Sequence, residues 1–156
     1  MTIYIGADHR GYAMKEGLVA WLREQRHDVH DMGATEIAAD DDYPDYAQAV
    51  AGEVANDTES RGIVLCGSGT GVAVAANKTK GIRAALIHDV SIAKAARNDD
   101  NVNVLALGAD YISLEDAKQV ISVFLETPFS GEERHMRRIG KIEALEGTRG
   151  LPGQAG

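Results

Sequence analysis

The residue types that could do chemistry converge on one stretch, Gly62 to Lys78, which reads GIVLCGSGTGVAVAANK. Cys66 is the only cysteine in the chain, and Gly67, Gly69 and Gly71 follow it, alternating with Ser68 and Thr70. In such a turn successive backbone N–H groups point outward, and a helix beginning just after it adds the positive end of its dipole. The result is a cradle for negative charge. A thiol at its mouth is placed to act as a base or a nucleophile; the competing reading is a small cysteine packed into the core.

Several phosphate-handling classes are excluded by what surrounds Cys66. A nucleotide-binding P-loop needs Gly-Lys-Ser/Thr at its end, and here Gly71 is followed by Val72 and Ala73. A dinucleotide fingerprint opens the first strand–helix unit with G-x-G-x-x-G, whereas this G-x-G-x-G lies in the third. A cysteine phosphatase would need an arginine where Val72 stands, and a phosphoacceptor domain an aspartate where Cys66 stands. What remains is a base facing a nest of amides. That suits proton abstraction next to a carbonyl, with the enediolate held by the amides.

The elements that must position these groups follow from hydrophobic period and turn residues. Strands are expected at Thr2–Ala7, Asp28–Met32, Gly62–Cys66, Ile82–Ile87 and Asn103–Leu107, as short apolar runs closed by turn residues. Helices are expected over Tyr12–Glu24, from Asp42–Tyr46 to about Asn56 with Pro44 in the first turn, and from Val72. Others should cover Ser91–Arg97, Leu114–Glu126, and the stretch after Gly131 to Leu145 or Glu146. Alternation of this kind specifies an α/β fold: a single-domain, three-layer, Rossmann-like architecture with a five-stranded parallel sheet and helices on both faces. The domain should span residues 1–146, with 147–156 a disordered tail lacking any apolar period. Ligands of such sheets bind outside the carboxyl ends of the strands. Asp8, His9, Cys66, the glycine turn, His88 and Asp99 to Asn101 are expected to meet there.

Composition bounds the partners. At 156 residues the chain fits one domain with a proper core, and 44% hydrophobic with 26% charged residues is ordinary for a globular protein. A net charge of −8 argues against a broad nucleic-acid surface, but not against a small anionic ligand held by local arginines. A single cysteine, no leader pattern and no membrane-length apolar run together give a cytoplasmic expectation with no membrane partner. The aspartate run at 40–42 reads as a solvated loop rather than a hard-cation site.

Six segments, GADHRGYAMK near the start, DYPDYA at 42–47, CGSGTGVAVAANK at 66–78, GIRAAL at 81–86, NVLALGA at 103–109 and RHMRRI at 134–139, resemble the ribose-5-phosphate isomerase B family. The resemblance runs in order from residue 2 to about 146. It implies interconversion of aldose and ketose phosphates without a metal or other cofactor, by a homodimer or dimer of dimers with active sites shared at the subunit interface. It implies that Cys66 moves the proton between C1 and C2. The amides of Gly67, Ser68, Gly69, Thr70 and Gly71 would hold the enediolate, with Ser68 assisting. Asp8 and Tyr43 would contact sugar hydroxyls. His9, Arg134 and Arg138 would hold the phosphate, the arginines reaching across from a partner subunit. For Asp8 a turn cap is the plainer alternative, and for the cluster around Arg134 and Arg138 a solvated helix face.

The chain departs from the family at two places. Members usually carry His-Asn after the fourth helix, the histidine serving to open the furanose ring, and here Asp99 and Asp100 stand there. Several members carry an arginine after the fifth strand, and here it is Asp110. An aspartate with an ordinary pKa near about 4 is a poor acid at neutral pH. Ribose 5-phosphate is the first choice of substrate, with His88, an aspartate or water opening the ring. A tetrose 4-phosphate, allose 6-phosphate or galactose 6-phosphate is the second reading, and a weakened sugar-phosphate-binding protein the third.

Overall fold

The computed structural model describes residues 1–147, so the tail expected over 147–156 lies, Gly147 apart, outside the described residues. Five strands form one parallel sheet in the order β2-β1-β3-β5-β4: β1 Thr2–Ala7, β2 Asp28–Asp31, β3 Arg61–Cys66, β4 Ala84–Leu86 and β5 Val104–Gly108. Helices α1 Tyr12–Glu24, α2 Tyr43–Asn56, α3 Thr70–Ala76, α4 Val90–Asp100 and α5 Leu114–Glu126 make the crossovers, and α6 Glu133–Glu146 ends the described chain.

The two central strands have no polar side to offer. Every residue of Ile63–Cys66 and Val104–Gly108 is buried, the mark of a parallel strand covered on both faces. Alternation along them builds two cores. Ile63, Leu65, Leu105 and Leu107 face Leu18, Leu22, Ala93, Ile121 and Phe124 of α1, α4 and α5. Val64, Cys66, Val104 and Ala106 face Val50, Val54, Val72 and Ala76 of α2 and α3. Helices on both faces therefore stand as expected. No described helix is long and apolar enough to cross a membrane.

Of the boundaries that differ from the sequence expectation, four bear on the site or have a visible cause. α3 begins at Thr70 rather than Val72, because Gly69, in the left-handed region at φ +77°, turns the chain two residues earlier. β4 is shorter than Ile82–Ile87, being an edge strand paired on one side only. β5 runs to Gly108, opposite Cys66 in the register.

The fourth difference bears on function. α4 continues past Arg97 to Asp100, and its left-handed cap is Asn101 at φ +47°. A crossover helix runs back from the carboxyl end of one strand to the amino end of the next. Asp99, Asp100 and Asn101 thus lie at the amino-terminal edge of the sheet, not beside Cys66 as the sequence reading expected. The Asn101 carbonyl accepts from Arg83 Nε at 3.1 Å just before β4, and Asp99 Oδ1 lies 3.7 Å from His135 Nε2 on α6.

Candidate active site

The chain runs from β1 to β2 on one side and then crosses back from β2 to β3 on the other, so the carboxyl ends of β1 and β3 flank a topological switch point. A cavity of about 300 Å³ opens there, lined by Asp8, Arg10, Tyr43, Cys66, Gly67, Ser68, Gly71, Asp110 and Tyr111. Its walls come from the connections after β1, β3 and β5 and from the first residue of α2.

Cys66 ends β3 and is only 6% exposed. The Gly69 N–H donates to its Sγ at 3.2 Å, which puts a backbone donor on the atom that carries charge once the thiol gives up its proton. The Thr70 N–H donates to Ser68 Oγ at 3.3 Å, and Ser68 itself is exposed to the cavity. The turn is closed tightly. A methyl built on Gly69 would lie 2.7 Å from the Gly108 nitrogen, and one on Gly71 would meet the Tyr43 ring at 2.6 Å. Tyr43, the first residue of α2, therefore lies directly over the last glycine of the nest.

Asp8 is buried at the end of β1, and its Oδ1 accepts from the N–H groups of Arg10 at 3.0 Å and Gly11 at 3.1 Å. The turn-capping reading of Asp8 is therefore correct for one oxygen, while the residue also lines the cavity. His9 turns to the side: its Nδ1 lies 2.6 Å from Asp41 Oδ1, and its backbone N–H donates to the same oxygen at 3.2 Å. Burial pushes the Asp41 carboxyl up, but these hydrogen bonds outweigh it and hold the group below its ordinary value. The solvated-loop reading of residues 40–42 holds for the exposed Asp40 and Asp42 and is corrected for Asp41, whose side chain is only 8% exposed and bound to His9. Among the described residues, Asp8, His9 and Asp41 bring donor atoms within 4.8 Å of one another, the arrangement best able to hold a cation. Asp8 Oδ1 and the His9–Asp41 pair are already engaged within the protein.

His88 follows β4, and its Nε2 accepts from the Gly108 N–H at 3.1 Å, next to Cys66 in the sheet register. That bond puts the proton of the neutral ring on Nδ1 and engages the Nε2 lone pair, which weighs against Nε2 as a ring-opening acid.

The remaining expected residues are elsewhere in this chain. Arg134 and Arg138 are exposed on one face of α6, four residues apart, Arg134 held by Glu132 at 2.8 Å. Beneath them His135 is buried, its Nδ1 2.8 Å from Ser130 Oγ. Asp99 and Asp100 end α4 in the same region. Within one chain none of these four lines the Cys66 cavity.

Three residues of the site's surroundings were not singled out in the sequence. Arg10 donates to Asp110 at the cavity rim, Tyr111 lines it, and Asp41 holds His9. Arg10 sits inside the GADHRGYAMK segment beside Asp8 and His9, and that adjacency was the available signal.

Comparison with known proteins places the chain in a family and matches its fold. The family model described as Ribose/Galactose Isomerase matches residues 3–142. A probable ribose-5-phosphate isomerase B of Mycoplasma pneumoniae is 43% identical over 144 residues, covering 92% of this chain and 94% of that one. Ribose-5-phosphate isomerase B of Mycobacterium tuberculosis is 39% identical over 152 residues, covering 97% and 94%. The crystal structure of the Mycoplasma genitalium ribose-5-phosphate isomerase B with bound ribulose 5-phosphate superposes with a TM-score of 0.90 at 39% identity, covering 94% of this chain and 96% of that one.

Proposed function

The chain belongs to the ribose/galactose isomerase family, and on that premise we propose that it is an aldose–ketose isomerase converting ribose 5-phosphate to ribulose 5-phosphate through an enediolate. The observation that carries the reading is Cys66 at the end of β3, with the Gly69 N–H on its sulfur and the glycine turn around it. In the proposed reaction the Cys66 thiolate takes the proton from C2 of the open-chain aldose. The C2–H electron pair becomes the C1–C2 double bond, and the carbonyl pair moves onto O1, where the amides of Gly67 to Gly71 meet the negative charge. The proton held on sulfur then returns to C1, while the O2 hydroxyl proton passes to O1 as the C2 carbonyl forms. This route asks nothing of a metal or cofactor. Asp8, Tyr43 and Ser68 would orient the sugar from the cavity wall, Thr70 would add its backbone amide at the start of α3, and His9 would face the phosphate from behind Asp8.

The same reading calls for two copies of the chain. Asp99, Asp100, Arg134 and Arg138 cluster at the amino-terminal edge of the sheet, whereas Cys66 is at the carboxyl edge, so they can serve a Cys66 cavity only from a second subunit. Leu86, Val90 and Ile92, at the carboxyl end of β4 and the start of α4, are exposed apolar side chains suited to such an interface. One free cysteine fits a cytoplasmic enzyme.

The test is an isomerase assay on ribose 5-phosphate, erythrose 4-phosphate, allose 6-phosphate and galactose 6-phosphate, with wild type and Cys66→Ala side by side. Loss of a general base lowers turnover about 10²–10⁴-fold while substrate affinity is largely kept. An alanine variant that retains wild-type turnover would leave Cys66 a packing residue and sink the mechanism.

A further inference from the structure

Among the described residues lining the Cys66 cavity there is one cation, Arg10, and it shares the cavity with two carboxylates, Asp8 and Asp110. The Arg10 guanidinium donates through Nη2 to Asp110 Oδ2, joining the connection after β1 to the one after β5 across 100 residues of sequence. The pair sits close against the nest. A methyl built on Gly67 would come 2.6 Å from Arg10 Nε, 2.7 Å from its Cζ and 2.9 Å from Asp110 Oδ2. The guanidinium therefore packs against the first residue after Cys66. The side chains are 58% and 42% exposed, so the bond adds little to folding stability. Its position matters more than its strength.

A guanidinium offers five N–H donors in a planar fork, so Arg10 can keep Asp110 on Nη2 and still present its other N–H groups to an anion. Asp8 Oδ1 already takes the N–H groups of Arg10 and Gly11, so it does not compete for the guanidinium through that atom. Asp110 does compete, and its charge also repels any anion brought to the same cation. We propose that Arg10 is a substrate-binding residue that grips the phosphate monoester from the same subunit as Cys66. Asp110 is its positioning residue, holding the fork over Gly67 while limiting how tightly an anion is bound. The identity of the anion rests on the isomerase reading above; the cation site does not.

The two residues then have effects of opposite sign. Inorganic phosphate and ribulose 5-phosphate are titrated calorimetrically into wild type, Arg10→Ala, Arg10→Lys and Asp110→Asn, and KM and kcat are measured alongside. Arg10→Ala weakens both probes about tenfold or more, the scale of a lost charge-assisted hydrogen bond. Arg10→Lys recovers part of the loss, because a point charge lacks the fork. Asp110→Asn tightens both probes about threefold to tenfold by removing the competing charge, and KM moves more than kcat throughout. Binding to Arg10→Ala within about twofold of wild type would overturn the proposal. So would an Asp110→Asn variant that binds as weakly as Arg10→Ala, which makes the pair a structural clamp, or a wild type that binds neither probe. The calorimetric pattern without isomerase activity would instead remove the isomerase reading and leave the anion site standing.

Discussion

Two glycines in this chain share a backbone conformation but not a neighbourhood, and replacing each by alanine separates strain from crowding. Gly69 and Gly81 both sit in the left-handed region, at φ +77° and +81°. An L-residue there costs about 1–2 kcal/mol. Around Gly81 nothing lies within 4 Å of the added methyl, so Gly81→Ala should lose only that amount. At Gly69 the methyl would come 2.5 Å from Leu86 Cδ1, 2.7 Å from the Gly108 nitrogen and 2.7 Å from the Leu107 carbonyl carbon. The leucine tip can swing away, but the β5 backbone is fixed between β3 and β4. Overpacking of this kind adds about 1–3 kcal/mol, so Gly69→Ala should lose about 2–5 kcal/mol in all. Urea unfolding read from the midpoints at constant slope gives the comparison. Turnover gives the second readout. The Gly69 N–H is the donor on Cys66 Sγ, and a displacement of about 1 Å at such a group costs on the order of 10²-fold in rate. Gly81→Ala should leave turnover unchanged. Equal destabilisation by the two substitutions, with turnover kept in Gly69→Ala, would refute both the close approach to β5 and the part given to the nest.

Replacing Asp99-Asp100 by His-Asn should raise kcat/KM for ribose 5-phosphate and leave an acyclic tetrose phosphate nearly unaffected, since only the pentose must open its ring; a lower rate with ribose 5-phosphate would show that an aspartate is already the working acid. Lys15 gives a pH test. Its side chain is 1% exposed and its ammonium is bonded to Glu16 and Asp31; burial pushes its pKa down, but the two carboxylates outweigh it and leave it above the ordinary value. A raised folded pKa contributes stability that is complete below the unfolded value near about 10.4 and is lost as pH rises through the folded value. Wild type should therefore lose unfolding midpoint more steeply than Lys15→Met above about pH 10, and parallel curves for the two proteins would contradict the linkage.

Much of the fold was legible because its signals are local. Apolar runs at 2–7 and 62–66 became β1 and most of β3, and the helical period over 12–24 and 114–126 returned α1 and α5 with those bounds. Leu18 and Leu22, and Ala117, Val120, Ile121 and Phe124, recur at helical spacing and are buried. The glycine nest was legible for the same reason: five consecutive residues carry it, and no distant partner is needed to draw its amides into a row. Boundaries slipped where a neighbour decides them. Left-handed Gly69 started α3 early, and the edge position of β4, paired only with β5, shortened that strand.

The composition of the site was decided by tertiary structure. Sequence placed Asp99 and Asp100 beside Cys66, but a helix that crosses between parallel strands must return to their amino ends, which carries its last turn to the far edge. Asp41 was read as solvated because its neighbours in sequence are acidic; its neighbour in space is His9, 32 residues away. Arg10 and Asp110 are 100 residues apart and meet because β3 alone separates β1 from β5 in the sheet order. Hydrophobic period records what each segment does against its own core. Strand order determines which connections face one another, and that depends on every crossover at once, so no single stretch of the chain states it.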